Sequence, residues 1–198
     1  MKTLAFDAIV PELKVPRKVM GDYMAQCAEN ICPETFHSVM SSGCETLLRH
    51  VFAMVRASEG TVWICNEEET QLVPVFNSGS KAAEMLATVR QALNNGCISL
   101  VFANGQAFAE NDIKKNPKHD PTTDKTLKFI THAMLAAPLR IMGKTCGVVS
   151  CVILGKPDEK NDEPLPDFTD GDQIIFNFYV QVFEKLIDHQ ILNKALAL

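Results

Sequence analysis

The chain has no apolar run close to the ~20 residues a bilayer-spanning helix needs. It is also short of positive charge. Its 19 Lys and Arg stand against 24 Asp and Glu, a net charge of −5. General nucleic-acid binding is disfavoured, because phosphate neutralisation requires clustered cations. The N-terminus MKTLAFDAIVPELKVP has only a short apolar stretch, interrupted by Asp7 and Pro11. It makes a poor signal peptide, and the expected compartment is the cytoplasm. There is no internal repeat and no low-complexity tract. No phosphate-binding glycine loop, Ser-His-Asp order or paired-carboxylate arrangement occurs in a supporting context. Catalysis is therefore not expected, and no catalytic residue, metal or cofactor is assigned.

Cysteine is present in an odd number, seven, scattered through apolar segments. Free buried thiols in a reducing compartment fit this better than a disulfide frame. Cys27, Cys32, His37 and Cys44 do not have the short ligand gaps of a zinc site, and Cys32 precedes a proline. Cys146 and Cys151, five apart on one strand, are expected on opposite faces.

About half the residues are apolar, which is enough for one full core. Residues 1–15 read as irregular, and Arg17 to Asn30 as a helix, with Pro16 admissible only in a first turn. Glu34 to Ser58 carries apolar residues at three- and four-residue steps and reads as one helix. Gly43 inside it weakens it by about 1 kcal/mol relative to Ala, and would admit a neighbouring backbone. Thr61–Cys65 and Gln71–Asn77 read as a strand hairpin, the second strand at an edge because of Pro74. Trp63 is expected in the core or against the helices. Ser80 to Asn94 reads as a helix capped by Ser80, and Cys97 to Ala103 as a short helix closed at Gly105. Gln106–Glu110 is a short strand. Ala133–Ile141 and Cys146–Leu154 are apolar strands around a tight turn. Pro157 to Phe168 is a polar loop. Thr169 then caps a last helix whose apolar stripe runs through Ile174, Ile175, Phe178, Tyr179, Val182, Phe183, Leu186, Ile187 and Ile191. Phe176 and Val180 widen that stripe beyond one core face, so the helix needs two partners.

Between the strands lies a polar insert, Asn111 to Thr131. Its lysines make it basic within an acidic protein. It reads as a solvated flap, or more sharply as an anion-selecting lid. In the second case Lys114, Lys115 or Lys118 would pair with a phosphate or carboxylate held over Phe76, Phe102 and Phe129.

Four stretches resemble the motifs of a GAF domain, a small-molecule sensor module. Asn95-Gly96-Cys97-Ile98 through Gly105-Gln106 resembles its Gly-bounded short helix. Glu110-Asn111-Asp112 resembles its strand ending in Asp, and Met134–Leu139 its strand ending in Pro-Leu. Gly147–Val152 followed by Phe168–Asp172 resembles its last strand and helix start. Ser99 departs from the pattern where a second glycine is common. The signature of the cyclic-nucleotide-binding members is absent, and so is the Cys-His dipeptide of covalent tetrapyrrole binders. The resemblance implies an α+β fold with a central antiparallel sheet. The terminal helices would cover one face, and short helices with the insert the other. Residues 34–198 would form this domain and 1–33 an N-terminal extension.

The resemblance also implies a non-catalytic sensing or regulatory role and a homodimer through helices 34–58 and 169–193. The ligand would be a small molecule, with neither nucleic acid nor membrane as partner. The implied pocket adds Cys97, Asp112 and Thr131 to the residues above. Two alternatives stay open. One is a thiol enzyme like the free methionine-R-sulfoxide reductases, with a reactive Cys97. The other is a ligand-free dimerisation scaffold.

Overall fold

The computed structural model describes residues 14–155 and 165–195. The first thirteen residues and most of the polar loop after Gly155 lie outside the described residues, together with the expectations made for them. Helix α1 (Lys14–Glu29) holds Pro16 in its first turn, where a missing N–H leaves no hydrogen bond unmade. The single helix expected over 34–58 is two, α2 (Pro33–Phe36) and α3 (Ser42–Met54). The break falls at Ser41, whose Oγ accepts from Cys44 N at 3.3 Å and so caps α3. Serine favours such a position over a helix interior because its hydroxyl competes for nearby backbone. The apolar period survives the break: Phe36, Val39, Cys44, Leu48, Val51 and Val55 are all buried. Gly43 sits in the first turn of α3, where a β-carbon would meet nothing nearer than Ser41 Oγ at 3.7 Å. No close backbone approach occurs there.

Strands β1 (Glu59–Cys65) and β2 (Gln71–Asn77) follow. Helix α4 (Ala82–Thr88) follows Lys81 with no side-chain cap from Ser80, and it ends earlier than expected because Gln91–Ala92 is claimed as strand β3 by pairing with β2. Helix α5 (Cys97–Asn104) ends at Gly105 in the left-handed region, φ 63°. Strand β4 (Phe108–Glu110) leads into the insert, which contains a 3-10 turn (Ile113–Lys115) and α6 (Thr122–Leu127). Strands β5 (Ile130–Ile141) and β6 (Lys144–Gly155) are joined by Met142-Gly143. Both turn residues have positive φ, 51° and 84°, as the twist-matched two-residue hairpin turn requires. Helix α7 (Asp170–Ala195) starts on a reciprocal cap. Asp172 N donates to Thr169 Oγ1 at 3.1 Å, and Thr169 N to Asp172 Oδ2 at 2.9 Å.

The six strands form one antiparallel sheet, order β3-β2-β1-β6-β5-β4. Helices α1, α2, α3 and α7 cover one face, and α4, α5 and the insert cover the other. β3 reaches only Gln71 and Leu72, so Pro74 lies on an open edge as expected. At the centre, Gly147 of β6 passes so close to the carbonyl of Trp63 that a β-carbon there would overlap it.

Three irregularities change which face a residue serves, one of them skipping His132 between Thr131↔Leu154 and Ala133↔Ile153. The β5–β6 register runs from Arg140↔Thr145 to Leu139↔Gly147 and skips Cys146. The extra residue re-phases the strand, and Cys146 and Cys151 end in the same helix-side core instead of on opposite faces. The β1–β2 register runs from Val62↔Phe76 to Trp63↔Pro74 and skips Val75. Phe76 therefore packs into the helix-side core, and Trp63 into the core beneath the insert.

In α7 the expected Phe183, Ile187 and Ile191 are buried, but in the first half of the helix the phase differs, and Phe176 and Val180 belong to the buried stripe. Ile174 and Phe178 point outward, 70% and 59% exposed.

Candidate functional site

A cavity of about 60 Å³ lies between the sheet and the insert. Its floor is Glu59, Thr61 and Trp63 of β1, Thr131 and Met134 of β5, and Ser150 and Val152 of β6. Period-two alternation puts the β1 and β6 sets on one face, and the irregularity at His132 brings Thr131 and Met134, three residues apart, to the same face. One wall is Met85 of α4 and Cys97 and Ile98 at the start of α5. The roof is the second half of the insert: His119, Asp120, Thr123, Asp124, Leu127 and Phe129. The space is far smaller than the ~300 Å³ and upward typical of ligand pockets. A metabolite-sized ligand needs the roof to move.

Two aspartates latch the roof. Asp120 Oδ2 accepts from Asn95 Nδ2 at 2.9 Å and from Gln91 Nε2 at 3.4 Å, and its other oxygen holds Thr122 N at 3.0 Å. Hydrogen bonds from the Thr122 hydroxyl and backbone keep its carboxyl below the usual range against the opposing effect of burial. Asp124 accepts from Thr131 Oγ1 at 2.6 Å and Thr131 N at 2.9 Å, with His119 Nε2 3.7 Å away. Burial alone would raise the Asp124 carboxyl, but the nearby His119 ring and the hydrogen bonds from Thr131 outweigh it and hold the carboxyl below the usual range.

Glu59 has no such company. It is only 8% exposed, and one oxygen accepts from Asn77 Nδ2 at 3.3 Å. Among the described residues no Lys, Arg or His forms an ion pair with it. Burial pushes its carboxyl above the ordinary range; the Asn77 bond opposes this and the nearby Asp124 charge adds to it. The other oxygen packs on Gly79, where a β-carbon would overlap it. Trp63 Nε1 is spent on Ser150 Oγ at 2.9 Å, which fixes the indole in the floor.

Of the residues expected at a site, Cys97, Phe129 and Thr131 line this cavity. Phe76 lies through the sheet on the helix side, with the Arg49 guanidinium 5.2 Å from its ring centre. Phe102 borders a separate depression with Cys65 and Lys144. Asp112 and Lys115 pair with each other at 2.6 Å outside the cavity, and Lys118 does not line it. Lys114, Lys125 and Lys128 border an open depression on the outer side of the insert. The lysines expected to select an anion thus do not reach the cavity, whose charged lining is three carboxylates and one imidazole. Trp63, expected against the core or the helices, is part of the floor. Glu59, Asp120 and Asp124 went unrecognised as site residues. The available signal was the alternation Glu59, Thr61, Trp63, which places the carboxylate on the indole's face.

The cavity does not offer thiol chemistry a reactive pair. Reduction by a cysteine needs a thiolate and a resolving thiol nearby. Cys97 is buried, burial and the Glu110 charge push its thiol up, and no other cysteine lines the space. Among the described residues no cluster of His, Cys, Asp and Glu is arranged to hold a metal ion, and no helix is long and apolar enough to cross a membrane.

No family model matches the chain, and no curated protein matches it. Solved structures do. It is similar to the GAF domain of a phosphoenolpyruvate-protein phosphotransferase from Coxiella burnetii, with TM-score 0.61 and 14% identity over 90% of this chain and 96% of that one. The corresponding Acinetobacter domain gives TM-score 0.56 and 13% identity over 89% and 94%. A free methionine-R-sulfoxide reductase from Neisseria meningitidis, solved with its substrate, gives TM-score 0.56 and 16% identity over 77% and 80%. The chain has the GAF fold, with the antiparallel sheet and two-sided helical cover expected from its motifs.

The lone buried carboxylate generates a prediction. Because the folded protein raises the Glu59 carboxyl, the stability Glu59 contributes is full at low pH and falls as pH rises through the raised value. Glu59→Gln removes that penalty. The variant should be more stable than the parent near neutral pH, with the gain vanishing below about pH 4, where carboxyls are protonated in both states. Urea unfolding at a series of pH values reads this; a variant destabilised at neutral pH contradicts it.

Proposed function

We propose that the chain is a non-catalytic regulatory module that senses a small molecule in the cavity under the insert. The observation that carries this reading is a clamp between the insert and the start of α7. Asn111, the first residue of the insert, donates from Nδ2 to Phe168 O at 3.0 Å and accepts from Phe168 N at 2.9 Å. Phe168 immediately precedes the cap of α7. His132, just after the insert, pairs with Asp167 at 2.9 Å. Movement of the roof is thereby mechanically linked to the helix start.

A second link joins α5 to α7. Arg140 Nη2 donates to Gly105 O at the end of α5, and Arg140 N donates to Glu184 Oε1 of α7 at 2.7 Å. A ligand that favours one roof position biases α7 by its differential affinity for the two positions. The far side of α7 carries the exposed Ile174 and Phe178, which support pairing with a second copy as the output.

Native mass spectrometry of the purified protein, with analysis of small molecules released on denaturation, tests the reading. A stoichiometric metabolite supports it. An empty protein whose roof gains no hydrogen-exchange protection from any metabolite pool overturns it in favour of a scaffold. Asn111→Ala removes both clamp bonds. With ligand present, exchange of the roof should still slow while the first turns of α7 no longer respond; an unchanged α7 response removes the clamp from the mechanism. Light scattering of the double variant Ile174→Glu/Phe178→Glu checks the output. The parent should be a dimer and the variant a monomer, and equal masses for the two refute pairing through this face.

A further inference from the structure

The chemistry of the cavity extends this reading, on which the inference rests, to the class of ligand. Three facts about the lining bear on it. First, the ionisable lining is three carboxyl groups, Glu59, Asp120 and Asp124, and the His119 imidazole, with no lysine or arginine. Lys81, beside the roof, is committed elsewhere, its Nζ donating to Leu127 O and standing 4.7 Å from the centre of the Phe129 ring. Second, the acids are not equivalent. Asp120 and Asp124 are occupied in latching the roof, while Glu59 has one weak donor for two oxygens. Among the described residues no hydrogen bond reaches its Oε2. A side chain more than nine-tenths buried is thus left with acceptor capacity unused, in the floor of a cavity. Third, the rest of the lining is apolar and soft: Trp63, Met85, Ile98, Phe129 and Met134.

Buried carboxylates keep their charge when a cation and hydrogen-bond donors are supplied. An anion brought here would face three carboxyl groups and no lysine or arginine. A metal ion would lack ligands, since no metal-binding cluster is present among the described residues. An ammonium group supplies up to three donors and one positive charge, and an attached hydrocarbon suits the methionine and aromatic walls.

We propose that this cavity binds a protonated amine with a short apolar body, its ammonium received by the free oxygen of Glu59 and its hydrocarbon by Met85, Ile98 and Phe129. The roof closes over it, and Asp124 adds attraction from above. The site is built to be incomplete without a cation: its floor carboxylate is desolvated before any counter-charge arrives.

Trp63 is the only tryptophan in the chain, so its fluorescence reports this cavity alone. The experiment titrates the full chain with n-butylammonium chloride, with sodium butanoate and with butyramide at matched ionic strength. n-Butylammonium should change Trp63 emission saturably while the other two do not. Glu59→Gln, which is expected to fold at least as well as the parent, should weaken the amine about tenfold or more, as loss of a charge-assisted hydrogen bond does. A saturable response to butanoate or butyramide of equal or greater affinity overturns the charge assignment and leaves the sensing role standing. An amine response unchanged in Glu59→Gln overturns the assignment to Glu59. No response to any of the three overturns the amine proposal, while the metabolite released in native mass spectrometry independently decides the sensing role.

Discussion

The backbone contact between Gly147 and the carbonyl of Trp63 fixes the middle of the sheet. No β-carbon fits at that point, so the β1–β6 pair can close there only on a glycine, in the register Ile64↔Gly147. A slip by one residue would bring a side chain into the gap and exchange the faces of every residue on the strand. The irregularities at Val75 and Cys146 flank this pair on its two sides. Together they turn Trp63 toward the insert and Phe76 toward the helices. The separation of a helix-side core from a cavity-side core follows from this arrangement.

Much of this architecture was legible in the sequence. β2 runs over the expected residues because Gln71–Asn77 combines β-branched and aromatic residues between polar turns. The Met142-Gly143 turn and the Thr169 cap carry their own chemistry in the residue types. What was not legible involved phase. A bulge shifts alternation by one residue without changing composition, so an unbroken period misplaced Cys146 relative to Cys151, and nothing local marked the face of Phe76. In α7 two apolar stripes lie side by side, Ile174–Phe178 and Phe176–Val180. Spacing alone cannot rank them, because both repeat every four residues; packing on β5 and α3 selects the second. The break in the 34–58 helix arose from Ser41-Ser42-Gly43, whose capping chemistry competed with a strong apolar period.

The site was harder to read than the fold, and for an electrostatic reason. Lysines are dense in the insert, which drew attention to anions. Yet Lys is rarely buried fully and keeps its head in water on the outer side of a flap. Carboxylates can turn inward where backbone N–H groups and hydroxyls receive them, as Thr131 receives Asp124 and Asn95 receives Asp120. Glu59 comes from a strand some sixty residues earlier in the chain, so no local charge count brings it beside Asp124. Local density described the outer skin of the insert, and topology determined its inner surface.

The ends of the insert are held by neighbours in the sheet. Glu110 at the end of β4 pairs with Met134 of β5, and the segment between leaves and returns at almost one place. Asn111 secures its departure and Asp124–Thr131 its return. The entropy of closing such a loop grows only with the logarithm of its length, so residues between these anchors can be added, removed or replaced at little expense to the sheet. The roof of the cavity is in this sense an interchangeable part on a fixed chassis: its composition can change what the module recognises while Gly147, Trp63 and the helix-side core remain as they are.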